Sequence, residues 1–520
     1  VGPFDFFLPP SFERLPEDLG QRLLAGVIAR NQAAQAGLGS LRAWRQDDPA
    51  TASLAGLGLE LTRLAFDLDP LNAAMAQAIA TMAGPGGQEE AAVLQQTAAA
   101  PWTAAWRQAL TAAERTGDWE PFLERFDAAW PADGAPLASR VEGLAALAAG
   151  MSGGSKRLER WLSGLPGQPA TPGLAFMAAE ATLRLRGRRA GITAFCDFLR
   201  RWPWCVNALL RLYDLQTGFD AQLTELPGEL AIFFYTFNKA DDLAVALDDL
   251  HRSHLGRFRV FALDNGSCDA TPQVLSAWQD RFGAERFSIL RAPVNVGAPA
   301  GRNWLKALPE AATADFVAYL DDDIRLEPDW ALRLGAAVAA YPGQSAYGCR
   351  VTDAGRPSVL QAAAFHLAPG GPREPATATD LQLQAPDIGQ WAFCRPCLSV
   401  TGCCHLFSAA ALAAGGDFDI RFSPSQFDDL ERDMRVFLAG QAAVYQGHLV
   451  IGHKRRSGGD ARRERTAGGN AHGNLTKLQA KFDAGDVRRL RSLENQLLLT
   501  DVRKKALWLA RRTGAGQGEE

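Results

Sequence analysis

Eight cysteines scattered through 520 residues are too few and too irregularly spaced for a disulfide framework, the device that small secreted domains use when their cores are thin. No run of sequence approaches the roughly 18–20 consecutive apolar residues that a membrane-spanning helix requires. The opening stretch, Val1–Pro10, has no positive region followed by an apolar one, so no secretory leader is expected. Neither sign of charge is in excess. The net charge is -4 and 22% of residues are charged, so the chain as a whole is no electrostatic trap for nucleic acid. No Gly-x-Gly-x-x-Gly follows the first strand-like run, and no Lys-Ser/Thr phosphate loop occurs anywhere. A dinucleotide dehydrogenase and a phosphate-loop NTPase are both disfavoured by those absences. The default expectation is a reducing, cytoplasmic setting. What is present is a 47% hydrophobic chain long enough for more than one domain and a sizeable core.

Residues 11–225 carry almost no strand signal. They are rich in Ala, Leu and Arg at helical spacing, and Gly84–Gly87 reads as a loop. Helical pairs are expected at Trp102–Ala113 with Trp119–Ala129, at Leu137–Ala149 with Lys156–Leu162, and at Leu174–Leu185 with Gly191–Arg201. Turn glycines, Gly117, Gly153-Gly154 and Gly187, recur at roughly 35-residue intervals. That period is the one shown by helix–turn–helix arrays, and the stretch from about residue 100 resembles degenerate tetratricopeptide repeats. Such an array would bind a partner; an irregular bundle that only packs on its neighbour reads the same way. Trp102, Trp106, Trp119, Trp130 and Trp161 are expected to be packing residues.

The composition changes between Thr217 and Gly228. Leu230–Thr236, Arg257–Leu263, Phe287–Leu290 and Phe316–Leu320 read as buried strands, with helical sequence between them. A β-α-β-α-β-α-β order implies right-handed crossovers and a mostly parallel sheet, with functional groups on the loops at the strands' carboxyl ends. Those loops are Thr236-Phe237-Asn238-Lys239, Asp264-Asn265-Gly266-Ser267, Asn295-Val296-Gly297 running on to Arg302-Asn303, and Asp321-Asp322-Asp323. Three adjacent carboxylates repel one another unless a cation sits among them. Mg²⁺ or Mn²⁺, which favour oxygen ligands shared with substrate phosphates, would serve. The other reading of the triplet is a solvated acidic turn before the helix that begins near Pro328.

Taken together, the four loops resemble those of an inverting family 2 glycosyltransferase, in that family's order and spacing. The resemblance implies an α/β, GT-A (Rossmann-like, nucleotide-diphospho-sugar transferase) fold with a mostly parallel sheet, preceded here by an all-helical domain. It also implies a nucleotide-sugar donor. Thr236, Phe237 and Asn238 would border the base, and Asp264, Asn265, Gly266 and Ser267 would shape the base and ribose site. Asn295 and Gly297 would form the third loop, and Arg302 would lie near the nucleotide or its phosphates. Asp323 would hold the metal, with Asp321 on ribose or a metal-bound water and Asp322 beside them. The triplet leaves open which aspartate takes the ion.

Downstream, Ser399–Phe407 resembles the family's acceptor-side strand and Gly415–Asp419 its following turn. Anchoring on Arg435 and Gly440 places Asp428 where the family has Glu and Asp429 where it has its catalytic base. Acidic residues also favour a helix N-terminus for purely structural reasons. His453, at the end of the strand Leu449–His453, falls where the family often has a metal ligand or diphosphate contact. Lys454 and Arg456, in the basic stretch that follows, are candidate diphosphate clamps. His405 reads as a polar lining or core residue. Cys394, Cys397, Cys403 and Cys404 lack the two well-spaced pairs of a zinc site. The helical tail Leu475–Arg512 is basic and amphipathic near its end. It is expected to pack on the rest of the chain, with contact at the inner face of a membrane as the alternative.

The domains expected are 1–225 all-helical, 226–474 GT-A transferase, and 475–520 a helical extension ending in a disordered tail from Gly514. The expected reaction is metal-dependent transfer of a sugar from a nucleoside-diphosphate sugar to an acceptor hydroxyl. The acceptor is left open among a glycan, a lipid-linked glycan and a protein. A nucleotidyltransferase acting on a sugar phosphate and an inactive GT-A-like scaffold are the rival readings.

Overall fold

The computed structural model describes residues 15–43, 52–82, 88–152, 155–309, 313–367, 378–380, 386–454 and 465–515. Gly84–Gly87, Gly153-Gly154 and Arg456 lie outside the described residues. The described residues between Glu17 and Thr217 form helices joined by short turns. Strands follow: β1 (Glu229–Thr236), β2 (Arg257–Asp264), β3 (Phe287–Arg291), β4 (Phe316–Leu320), β5 (Ile324–Arg325), β6 (Ala346–Asp353), β7 (Arg356–Ala362), β8 (Phe365–Leu367), β9 (Ala378–Asp380), β10 (Cys394–Cys397), β11 (Cys404–Ser408) and β12 (Ala443–His453). The main sheet runs β10-β12-β6-β11-β4-β1-β2-β3, with β5 on β12 and β7 on β6; β8 and β9 pair separately. Strands β1, β2, β3, β4, β6 and β12 point the same way, and β10 and β11 run against them. The fold is therefore mixed α/β with a mostly parallel sheet after a helical region.

Alternation along β1 assigns its two faces. Leu230, Ile232 and Phe234 join Val260, Ala262 and helices Ala240–His251, Thr271–Phe282 and Trp330–Ala340. Ala231 and Phe233 face the opposite way, into a core shared with residues of the N-terminal helices and with Leu498, Val502, Ala506 and Leu509 near the C-terminus. A central strand buried on both faces must be apolar throughout. Each fully buried Ile or Phe there contributes about 1.5–3 kcal/mol.

The expected strands of the parallel half are all present, each within a residue or two of its expected ends. The acceptor-side stretch differs: β11 begins only at Cys404, because Thr401-Gly402-Cys403 turns instead of pairing. The last expected helical pair is present within Pro172–Arg201: helical geometry breaks at Gly187 (φ 79°, ψ -179°), and the second half folds back on the first, with the rings of Phe176 and Phe195 5.7 Å apart. Trp106, Trp119 and Trp161 are buried as packing residues. Gly117 ends the helix Thr103–Thr116 in the left-handed region (φ 69°), and a Cβ there would lie 2.6 Å from Cβ of Arg356. The helical region thus leans on β7 at this turn, where Trp119 Nε1 also donates to Ser358 Oγ at 2.9 Å.

The basic tail forms helices Arg465–Lys481 and Ala484–Ala515. Its apolar side packs inward. Lys505 is buried, donating to the Cys394 carbonyl at 2.6 Å and pairing with Asp501 at 3.1 Å. No described helix is long and apolar enough to cross a membrane.

Candidate active site

The carboxyl ends of β1, β2, β3 and β4 converge, as a parallel sheet requires, and their loops are tied together by hydrogen bonds. The Asn265 amide donates to the Thr236 carbonyl at 2.8 Å. Asp264 Oδ1 accepts from the Ser267 amide at 2.9 Å, and Ser267 Oγ accepts from the Asn238 amide at 3.0 Å. Asn238 Oδ1 accepts from the Cys268 amide at 2.7 Å. Asn265 reaches the third loop from both ends of its side chain: Nδ2 donates to Asn295 Oδ1 at 2.9 Å, and Oδ1 accepts from the Val296 amide at 2.9 Å. Gly266 needs to be glycine, since φ is 82° and a Cβ would sit 3.0 Å from the Val294 backbone. Thr236, Asp264 and Asn265 are buried, whereas Phe237 is 39% exposed. The three loops form one surface, as their spacing anticipates.

The aspartate triplet is met from the other side by His453. β5, directly after the triplet, pairs His453 with Ile324. This brings together residues 130 positions apart in sequence, from Asp323 to His453. His453 Nε2 lies 3.1 Å from Asp323 Oδ1 and 3.8 Å from Asp321 Oδ2. One ligand atom each from Asp321, Asp323 and His453 falls within 4.8 Å of the others. An imidazole nitrogen and two carboxylates could hold a divalent metal ion. Gln361, buried on β7, holds His453 twice: its Oε1 lies 2.9 Å from Nδ1, and its Nε2 donates to the His453 carbonyl at 2.8 Å. With Nδ1–H directed at Gln361, Nε2 faces the carboxylates: protonated it donates to Asp323, and neutral it offers a lone pair to an ion.

The three aspartates are not equivalent. Burial pushes Asp322 up to about 6, with Lys239 opposing, and burial also raises Asp321. Burial works to raise Asp323 as well, but hydrogen bonds from His453 and Lys239 hold it well below the usual carboxylate range. Burial works to lower the His453 pKa, and the hydrogen bond and charge of Asp323 lift it above the ordinary imidazole value.

Asp428 and Asp429 open the helix Asp428–Leu438. Their surroundings differ. Asp428 is buried and accepts from Arg302 Nη1 at 2.6 Å. Asp429 is only partly buried, and its Oδ2 accepts from the Gly402 amide at 2.7 Å. A Cβ on Gly402 would lie 2.7 Å from both Asp429 Oδ2 and Arg302 Nη2, so the Thr401–Cys403 turn brings its backbone close to both groups. Arg302 is buried among the rings of Tyr235, Tyr319 and Phe418. Its Nη2 donates to Tyr235 Oη at 2.8 Å, and Tyr235 Oη donates to Asp321 Oδ1 at 2.9 Å. A continuous path therefore runs from Asp428 through Arg302 and Tyr235 to Asp321. Lys454 turns away from the triplet and pairs with Asp242, although its amide donates to the Asp323 carbonyl at 2.9 Å. His405 is buried beside Phe407, and burial with the Arg302 and Arg432 charges lowers its pKa well below the ordinary value.

Three participants escape a reading of the sequence. Tyr235 looks like one more strand aromatic, Gln361 like one more strand polar residue, and Lys239 like the end of a loop. Only Lys239 carried a local signal, a cation at the end of the first strand's loop.

Residues 232–384 match the family model described as Glycosyl transferase family 2. No curated protein matches the chain. Among solved structures, the chain is similar to GalNAc-T7 crystallised with UDP, GalNAc and Mn²⁺, at 11% identity and a TM-score of 0.35, over 46% of this chain and 44% of that one. It is also similar to residues 1–349 of S. aureus TarS in complex with UDP-GlcNAc, at 14% identity and a TM-score of 0.32, over 44% of this chain and 60% of that one. In both cases the matched part spans less than two thirds of the other chain.

Proposed function

We propose, from the premise that residues 232–384 match the glycosyl transferase family 2 model, that the protein moves a sugar from a nucleoside-diphosphate sugar to an acceptor hydroxyl with inversion. The observation that carries this reading is the path Asp428–Arg302–Tyr235–Asp321, which joins a cluster able to hold an ion to the helix start that also carries the partly open carboxylate Asp429. The anomeric C–O bond breaks as a diphosphate leaves with growing negative charge, while the acceptor oxygen must lose a proton. A divalent cation held by Asp321, Asp323 and His453 would supply positive charge against the leaving diphosphate. The surface formed by Thr236–Asn238, Asp264–Ser267 and Asn295–Gly297 would seat the nucleoside. Asp429 Oδ2, oriented by the Gly402 amide, would accept the acceptor's proton. Asp428, already paired with Arg302, would hold that helix end in place. Transfer in one displacement inverts the anomeric centre.

The test is incubation with nucleotide sugars and Mn²⁺, reading the nucleotide released. Release of nucleoside diphosphate that depends on Asp323 is expected, and Asp323→Asn should abolish it. Release of pyrophosphate from a nucleoside triphosphate would replace this reading with nucleotidyl transfer.

Two further results are expected at the cluster. Gln361→Leu removes both restraints on His453 and should weaken Mn²⁺ binding by about 10–100-fold, measured by calorimetry, with little change in fold. Binding of an ion also requires neutral imidazole. Because the His453 pKa is raised, its proton competes with the ion into a higher pH range than a free imidazole's, whose pKa is about 6.5. Mn²⁺ affinity should therefore rise with pH through that raised value and level off above it. In His453→Gln this part of the pH dependence should vanish.

A further inference from the structure

Lys239 is the cation at the ion-binding cluster that the reaction above leaves without a task. It stands immediately before the helix Ala240–His251, with its amide on Thr271 Oγ1 at 3.2 Å. Its Nζ lies 2.5 Å from Asp323 Oδ2 and 3.1 Å from Asp322 Oδ1. The other oxygen of Asp323 faces His453 Nε2 at 3.1 Å, on the side where Asp321 also lies. The Asp323 carboxylate therefore divides the cluster. On one side is the set able to take an ion; on the other an ammonium holds Asp322. Three carboxylates against one ammonium leave two negative charges, the amount that one divalent cation neutralises.

We propose that Lys239 is a positioning residue that keeps Asp322 out of the ion's coordination and makes ion binding depend on the donor. This rests on the reading that the cluster serves a nucleoside-diphosphate sugar. With the donor absent, a divalent ion at Asp321, Asp323 and His453 is repelled by the fixed charge across Asp323, and its hold is weak. The donor's diphosphate brings negative oxygens to the ion, so the repulsion is offset and the two ligands bind together. Asp322 is then a partner for Lys239, and the ambiguity within the triplet resolves to Asp321 and Asp323 as ligands.

The test is titration of the full chain with Mn²⁺ alone, reading free Mn²⁺ by electron paramagnetic resonance, and again with UDP or GDP present. A unit charge within a few ångströms of the ion alters its affinity by about tenfold or more in a partly solvated site. Lys239→Met and Lys239→Gln, either of which suffices, should bind Mn²⁺ alone about tenfold more tightly than the unaltered chain, and nucleotide should then enhance binding less. Lys239→Arg keeps the charge and should behave as the unaltered chain does. Asp322→Asn should retain Mn²⁺ binding, whereas Asp323→Asn should lose it. Unchanged or weaker Mn²⁺ binding by the neutral variants overturns the proposal, as does loss of binding in Asp322→Asn. Mn²⁺ binding that Asp323→Asn abolishes and Lys239→Met leaves unaltered removes the role of Lys239 alone. Absence of Mn²⁺ binding in every form, with nucleotide present, removes the metal reading and this proposal together.

Discussion

Replacing Asp429 with asparagine is expected to lower kcat by about a thousandfold, within the 10²–10⁴ range for loss of a positioned general base, while nucleotide affinity changes little. The expectation rests on the contrast between two neighbouring carboxylates. Asp428 is buried and committed to Arg302. Asp429 accepts hydrogen bonds from the Gly402 and Leu430 amides, and it is the less buried of the pair. Asparagine preserves volume, and its carbonyl can still accept from the Gly402 amide, so the fold has little reason to change. What it loses is basicity. Thermal stability and Mn²⁺-dependent nucleotide binding should stay near those of the unaltered chain while turnover collapses. Retention of more than a tenth of the original kcat would remove Asp429 from the role of base and direct attention to another group.

Much of the site was legible because its parts obey local rules. A buried parallel strand is a short apolar run, and its loop at the carboxyl end carries the polar residues; Phe316–Leu320 followed by Asp321–Asp323 is legible on both counts. The pairing of Asp323 with His453 was legible only through a resemblance, since it depends on β5 returning to the end of β12. Local sequence says nothing of such a pairing. Tyr235 and Gln361 were out of reach for a related reason. Their roles depend on which face of a strand they occupy and on what the neighbouring strand presents there, and both neighbours are distant in sequence. Arg302 was expected near the nucleotide. Its side chain is instead enclosed by three aromatic rings and engaged by Asp428 and Tyr235, an arrangement set by tertiary packing. In the helical region a local rule sufficed at Gly187. Glycine flanked by arginines reads as a turn between two helices, and the chain breaks there and doubles back, so that Phe176 meets Phe195 and Phe198. The terminal helix also followed its pattern: a basic, amphipathic stretch buries its apolar side, and Lys505 goes in with it because Asp501 and the Cys394 carbonyl meet its ammonium.

Arg302→Met should produce the largest loss of stability of any single change at the site, about 3–5 kcal/mol, the cost of leaving one member of a buried ion pair without its partner. The guanidinium touches both halves of the site. It donates to Asp428 at 2.6 Å and to Tyr235 Oη at 2.8 Å, and Tyr235 in turn donates to Asp321. Methionine fills much of the space between the rings but offers no donor, so Asp428 would be left buried beside Asp429 with no positive charge between them. Burial already works to raise the Asp428 pKa against the pull of Arg302. Without Arg302 the carboxyl should bind a proton at neutral pH, and the helix N-terminus that presents Asp429 should shift. Urea unfolding would read the stability, and the companion variant Asp428→Leu would separate the two causes. If the stranded carboxylate dominates, the double variant Arg302→Met/Asp428→Leu should regain a substantial part of the loss, since removing both members of a buried pair costs less than removing one. Turnover should not return with stability, because Tyr235 and the Gly402 turn would still lack the group that aligns Asp321 with Asp429. A loss below about 1 kcal/mol for Arg302→Met, in the range of an exposed ion pair, would show that the link between the two halves carries little energy.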